Sequence, residues 1–132
     1  MPSGVRIPLS GHIPGLIIFS YFIDFHMTPQ ITADEVYKAL SEKRDVVFLD
    51  VRTPGEFGKG KIEGSINIPV DEIGDIISTS LPDKEKTIFA YCLSGSRSSV
   101  AADQMVMLGY TNVYSMTSGL LMWRSKQYPL VD

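Results

Sequence analysis

The chain has 132 residues, 44% hydrophobic and 20% charged, with a formal net charge of −3, the size and balance of one globular domain. An acidic excess without a basic stripe excludes a nucleic-acid binder, and Leu, Ile, Val and Phe are too frequent for a disordered chain. The only cysteine is Cys92, and the two histidines, His12 and His26, lie far from it, which excludes a disulfide scaffold and a Cys/His zinc site.

Residues 1–27 read as an irregular, apolar arm. Their only charges are Arg6 and Asp24; they carry Pro2, Pro8 and Pro14 and an apolar run from Leu16 to Phe25. That run is too short to span a membrane, which takes about 20 apolar residues. It is nearer to the apolar region of a secretory signal, yet Arg6 is a weak positive start and no small-x-small cleavage site follows. The preferred reading is a loosely packed arm, or translated sequence ahead of a start at Met27; a signal remnant is the alternative.

Regular patterning occupies residues 28–132. Thr32-Ala-Asp-Glu35 is a capping box, and Val36, Ala39 and Leu40 follow at helical spacing, which predicts a helix over 33–43. Val46 to Val51 is an apolar, β-branched run that suits a strand buried on both faces. Ser65 to Ile68 alternates as a shorter strand, and Asp71 to Ile77 is a weaker helix interrupted by Gly74. Thr87 to Tyr91 is a second central strand, closed by Cys92. A helix over 99–108 ends at Gly109, Asn112 to Met116 is another strand, and Leu120 to Lys126 is a last helix before Pro129. Alternation of strands and helices predicts parallel pairing and a layered α/β fold.

The most informative stretch runs from Thr87 through Cys92-Leu-Ser-Gly-Ser-Arg-Ser98. Ligands of open α/β sheets sit beyond the carboxyl ends of the strands, and Cys92 is at such an end. Gly95 lets the backbone curl, and a curled loop turns successive N–H groups into an anion-binding concavity. The helix that follows adds its dipole. A cysteine facing this concavity has its thiolate stabilised, and the thiolate is the nucleophile. An isolated cysteine is more often inert core packing; the Gly/Ser-rich loop and Arg97 shift the reading to a reactive thiol.

Cys92-Leu-Ser-Gly-Ser-Arg-Ser98 resembles the active-site loop of rhodanese-like sulfurtransferases. Phe48-Leu-Asp-Val-Arg52, Glu56-Phe57 and Lys61-Ile-Glu-Gly-Ser-Ile-Asn-Ile-Pro69 resemble the family's first signature. Gly109-Tyr110, Asn112-Val-Tyr114 and Gly119 followed by Trp123 resemble its closing one. The match covers residues 30–130, about the whole patterned region. It implies a three-layer α/β fold, with a mainly parallel central sheet flanked by helices, and a cysteine that cycles between thiol and persulfide. Cys92 would take a sulfane sulfur from thiosulfate, polysulfide or a protein persulfide and pass it to a thiol or cyanide. Leu93, Ser94, Gly95, Ser96, Arg97 and Ser98 would form the loop that holds the persulfide. No metal and no organic cofactor are implied.

The same resemblance leaves a second class open, a rhodanese-like interaction or redox- and sulfide-sensing module without turnover. Phosphatase chemistry fits poorly. It needs five residues between Cys and Arg so that the loop encircles a phosphate, whereas four separate Cys92 from Arg97, and Tyr91 precedes the cysteine where a His is expected.

Asp50 and Arg52 end the first central strand and approach the same crevice. The expectation is local pairing, with Arg52 meeting Glu56 across a turn and Asp50 accepting a hydrogen bond behind the site; a substrate-orienting Arg52 is the alternative. Ser94, Ser96 and Ser98 are candidate donors to sulfur, Ser98 equally a helix cap. Trp123, Leu120 and Leu121 are expected in the core, with Met105, Met107, Met116 and Met122 in it or at its edge. Three departures from the family pattern stand out: Lys61 for a common His, Thr117-Ser118-Gly119 for Glu-Gly-Gly, and apolar Leu93 after the cysteine. The expected partners are small sulfur donors and acceptors or a protein persulfide, with no nucleic acid and no firm sign of membrane binding. A monomer or weak dimer in the cytoplasm is expected, with a periplasmic or membrane-associated location if residues 1–27 act as signal or anchor.

Overall fold

The computed structural model describes residues 28–132; the arm expected over residues 1–27 lies outside the described residues. In chain order the elements are β1 (Gln30–Ile31), α1 (Ala33–Ser41), β2 (Val47–Asp50), α2 (Pro54–Gly58), β3 (Ile66–Asn67), a 3₁₀ turn (Val70–Glu72), α3 (Ile73–Ser80), β4 (Ile88–Tyr91), α4 (Ser96–Met107), β5 (Val113–Met116) and α5 (Gly119–Ser125). The five strands form one sheet in the order β1-β5-β4-β2-β3, with every pairing parallel. No helix among the described residues is long and apolar enough to cross a membrane.

Strand alternation divides the core into two layers. Leu49, Ile88 and Ala90 face α3 and α4, where Ile73, Ile77, Ala101, Ala102 and Met105 meet them. Phe48, Phe89 and Tyr91 face the other side and pack with Val36 and Ala39 of α1 and Leu120 and Trp123 of α5. Cys92 continues the 88, 90, 92 series and so belongs to the α4 side, fully buried. The first helix begins where its cap places it. Thr32 accepts from the Glu35 N–H while Glu35 accepts from the Thr32 N–H, as expected.

Two short elements escape the sequence reading. β1 is only two residues long, pairing Gln30 with Ser115 and Ile31 with Met116, too short for periodicity to register. α2 is headed by a second capping box, Thr53 with Glu56, and by Pro54 in its first turn, but its two glycines mask it. α4 begins at Ser96, not Ser99, because Gly95 takes a left-handed conformation (φ 103°) and turns the chain straight into the helix. Gly74 does not break α3. Trp123 is fully buried and its indole N–H donates to the Pro129 carbonyl. Leu121 and Met122, by contrast, project outward with Met107, since the seven-residue α5 buries only the face carrying Leu120 and Trp123.

At the end of β2 the pairing differs from expectation. Arg52 does not meet Glu56; its Nε and Nη2 bind both oxygens of Asp50 at 2.6–3.0 Å, and Nη2 also donates to the Gly60 carbonyl at 2.7 Å. Residues i and i+2 of an extended chain share a face, so the carboxylate two positions back captures the guanidinium first. Both side chains are buried, and Asp50 also accepts from the Arg52 N–H. Removing one partner of a buried pair strands the other charge. Asp50→Ala is therefore expected to destabilise the domain by about 3–5 kcal/mol, read as a lower urea midpoint at neutral pH.

Candidate active site

The loop after β4 is shaped by its contacts with the start of α5. The Cys92 carbonyl accepts from the Leu120 N–H at 2.9 Å and the Leu93 carbonyl from the Leu121 N–H at 3.0 Å. In a planar trans peptide the N–H of the next residue points opposite to the carbonyl. Anchoring these two carbonyls on α5 thus turns the Leu93 and Ser94 N–H groups the other way, into the loop. Gly119 makes the approach possible: a Cβ there would lie 2.5 Å from both carbonyl oxygens. Gly95 is held from the other side, since its Cβ would sit 3.1 Å from the Ser118 nitrogen.

The Gly95 N–H donates to the Cys92 Sγ at 3.1 Å, and the Ser98 hydroxyl lies 3.7 Å from the same sulfur. Burial alone would push the Cys92 thiol up. Hydrogen bonds from the backbone of Ser98 and Gly95, the Ser98 hydroxyl and the backbone of Ser94 outweigh it and hold the thiol below its usual value. The thiol is thus sealed from solvent yet disposed to ionise, which is what a nucleophile in a preorganised amide cradle requires.

The remaining loop residues separate into different settings. Ser94 and Ser96 are exposed, with their hydroxyls 3.4 Å apart; neither hydroxyl is bonded to the sulfur, and Ser94 reaches it through its backbone. Ser98 is buried in the first turn of α4 and does not cap it: its hydroxyl donates to the Gly95 carbonyl at 3.2 Å or bonds Ser115 Oγ at 2.8 Å. Arg97 forms a two-pronged pair with Glu56, Nη1 to Oε1 at 2.7 Å and Nη2 to Oε2 at 3.1 Å. Leu93 is half-buried at the edge of the core, against the α5 side. Asp50 and Arg52 stand behind the site as a closed pair. Sequence reasoning assigned Glu56 to Arg52 and so missed its pairing with Arg97, and it missed Ser115, for which a serine inside a buried strand is the sole signal. Among the described residues no group of three His, Cys, Asp or Glu is placed to hold a metal ion.

The rhodanese-like domain model matches residues 32–126. The chain belongs to the rhodanese-like domain family. Among its relatives is a sulfurtransferase of Allochromatium vinosum, 30% identical over 105 residues that cover 80% of this chain and 96% of that one. A solved rhodanese-related protein from Thermoplasma volcanium has the same fold, with a TM-score of 0.68 and 30% identity over 78% of this chain and 97% of that one. The family also contributes domains to larger proteins: the tRNA uridine(34) hydroxylase of Yersinia pestis is 30% identical over 73% of this chain but only 28% of its own length. Within this rhodanese-like domain the curled loop with Cys92 at its base is the part the strand ends single out.

Glu56 is held down to about 2 from an ordinary 4.5, first by the hydrogen bonds from Arg97, against burial, and then by Thr53. A carboxylate depressed in this way stabilises the fold fully above 4.5, and the contribution drains away as pH falls from 4.5 towards 2. Glu56→Gln is expected to flatten that part of the pH–stability curve relative to wild type, measured as urea midpoints across the acid range. Gly119→Ala is expected to cost more than about 2 kcal/mol, because a left-handed Ala is itself unfavourable by roughly 1–2 kcal/mol and the carbonyl overlap adds to it. It is also expected to slow alkylation of Cys92 by displacing the loop, which a reaction with iodoacetamide on folded protein reads directly.

Proposed function

We propose that the protein is a sulfurtransferase that carries a sulfane sulfur as a persulfide on Cys92. The observation that carries this reading is the Cys92 sulfur held at the base of a loop whose amides converge on it, with the Gly95 N–H at 3.1 Å. In the loading half-reaction the Cys92 thiolate attacks the outer sulfur of the donor. The donor's S–S bond breaks, its electron pair leaves with sulfite or a thiolate, and Cys92 Sγ bears a terminal, negatively charged sulfur. In the unloading half-reaction an acceptor thiolate or cyanide attacks that terminal sulfur. The new S–S or C–S bond forms, the Cys92–sulfur bond breaks, and the thiolate is restored. Charge and sulfur balance in both steps, so no redox partner is needed.

The backbone amides of Ser94, Gly95 and Ser98 would hold the negative charge in every state, first on Sγ and then on the added sulfur. Four residues between Cys92 and Arg97 leave a small ring, matched to one sulfur atom. The charge of Arg97 is already opposed by Glu56. Both features favour a singly charged donor, a polysulfide or a thiol persulfide, over the thiosulfate dianion.

Intact-protein mass spectrometry after exposure to polysulfide, and separately to thiosulfate, tests this. Wild type is expected to gain the mass of one sulfur atom, removable by cyanide, more completely from polysulfide; Cys92→Ser gains none while keeping its fold. Folded, reduced wild type that takes up sulfur from neither donor would overturn the proposal and favour an interaction module.

A further inference from the structure

Ser115 is a buried serine on β5, on the same face of the strand as the apolar Val113. A hydroxyl inside a core is unfavourable unless it is hydrogen-bonded, and Ser115 has two hydroxyl partners. Its Oγ lies 2.8 Å from Ser98 Oγ and 3.2 Å from Ser99 Oγ. Ser98 is equally buried and is the one side chain hydroxyl bonded to the Cys92 sulfur.

Each hydroxyl has a single hydrogen, so the directions of these bonds are coupled. Ser98 can aim its hydrogen at the Gly95 carbonyl or at Ser115; the Cys92 thiol donates to Ser98 Oγ at 3.7 Å, and once the thiol ionises that contact needs the Ser98 hydrogen turned onto the sulfur. When Ser115 donates to Ser98, the contact between them is already satisfied, and one of the two competitors for the Ser98 hydrogen is removed. The outer end of the chain is compatible with the same direction. Gln30 Nε2 donates to Ser99 Oγ at 3.5 Å, which leaves the Ser99 hydrogen for Ser115 and the Ser115 hydrogen for Ser98.

We propose that Ser115 is a positioning residue for the Cys92 thiolate, acting through Ser98 in a one-way chain of donors from Gln30 through Ser99, Ser115 and Ser98 to the sulfur. The proposal deepens the sulfurtransferase reading, since it concerns the readiness of the same nucleophile, but it concerns ionisation and not sulfur transfer. The charged group that senses Cys92 is Arg97 of α4, which has Glu56 of α2 and Asp50 of β2 beside it, and Asp50 is closed off by Arg52; α5 faces the loop with the backbone amides of Leu120 and Leu121. None of these is altered by a change at Ser115.

The test is the midpoint of Cys92 ionisation, taken from the pH dependence of the iodoacetamide rate, in wild type, Ser115→Ala, Ser98→Ala and the double variant. Because no sulfur donor is involved, failure of sulfur loading leaves this result standing, and failure here leaves sulfur loading untouched. Ser115→Ala is expected to raise the midpoint by about half to one pH unit, a threefold to tenfold loss of thiolate below it. Ser98→Ala is expected to raise it at least as far, and the double variant no further than Ser98→Ala alone, because Ser115 acts only through Ser98. A wild-type midpoint in Ser115→Ala, or additive shifts in the double variant, would overturn the proposal. If Ser115→Ala does not fold, the Ser115 hydroxyl proton of the wild type is followed by NMR. A protected signal that moves with the Cys92 titration is expected, and one that stays fixed through it would overturn the proposal.

Discussion

The site depends on one close approach, the loop after β4 lying directly on the first turn of α5. Two carbonyls, those of Cys92 and Leu93, are bound by α5 amides, and peptide planarity then decides where the following N–H groups point. Remove the contact and the amides have no reason to converge on the sulfur. The contact requires a residue without a Cβ at position 119, where any side chain would overlap both carbonyls, and a left-handed turn at Gly95 to bring the chain back into α4. Strand β5 is what delivers Gly119 to this place: it pairs with β4 in register from Ile88 and Val113 to Ala90 and Ser115. Sheet pairing, loop shape and thiol environment are consecutive consequences of one packing arrangement.

The charges near the site are organised in pairs of unequal burial, and this governs what they contribute. Asp50 and Arg52 are nearly inaccessible, at 0% and 4% side-chain exposure. Their mutual attraction largely offsets the cost of taking both from water, so the pair adds little net stability, though losing one partner is severe. Its contribution is placement: Arg52 ties the end of β2 to the Gly60 carbonyl and fixes the chain that leads into α2. Glu56 and Arg97 are about one-third exposed, at 33% and 34%, so water screens them and the pair is weak as a stabiliser. It nevertheless joins α2 to the first turn of α4 and neutralises the one cation of the Cys92 loop. With that arginine paired, the donors that the loop turns to the sulfur are its backbone amides and the Ser98 hydroxyl.

Much of this was legible in the sequence. The parallel sheet, its two central strands and the cysteine at a strand end follow from β-branched runs, from alternation with helices and from one capping box. What was not legible has specific physical causes. A two-residue strand such as Gln30–Ile31 has no period. The partner of Arg52 was misread because a turn neighbour, Glu56, was weighed above the residue two back on the same strand face. Leu121 is exposed against the expectation of a core position, because a seven-residue helix gives too few positions to locate its buried stripe. The start of α4 was placed three residues late because serines suggest side-chain caps, whereas Gly95 makes the turn by backbone conformation alone. Ser115 carried a signal, a hydroxyl in a strand otherwise apolar on that face, but its meaning requires knowing that Ser98 lies opposite.

Burial and reactivity of Cys92 are reconciled by geometry. A sulfur with no exposed surface ionises unfavourably unless donors replace the water it has lost, and here the donors are amides and a hydroxyl already in position, so no reorganisation is required when charge appears. The same enclosure limits what reaches the sulfur. Because α4 starts at Ser96, Arg97 sits in a helical turn and reaches out to Glu56; it does not close a wide ring around the sulfur. The turn beside Sγ is drawn tight by Gly95 and Gly119, whose Cβ positions would lie against Ser118 and the two loop carbonyls.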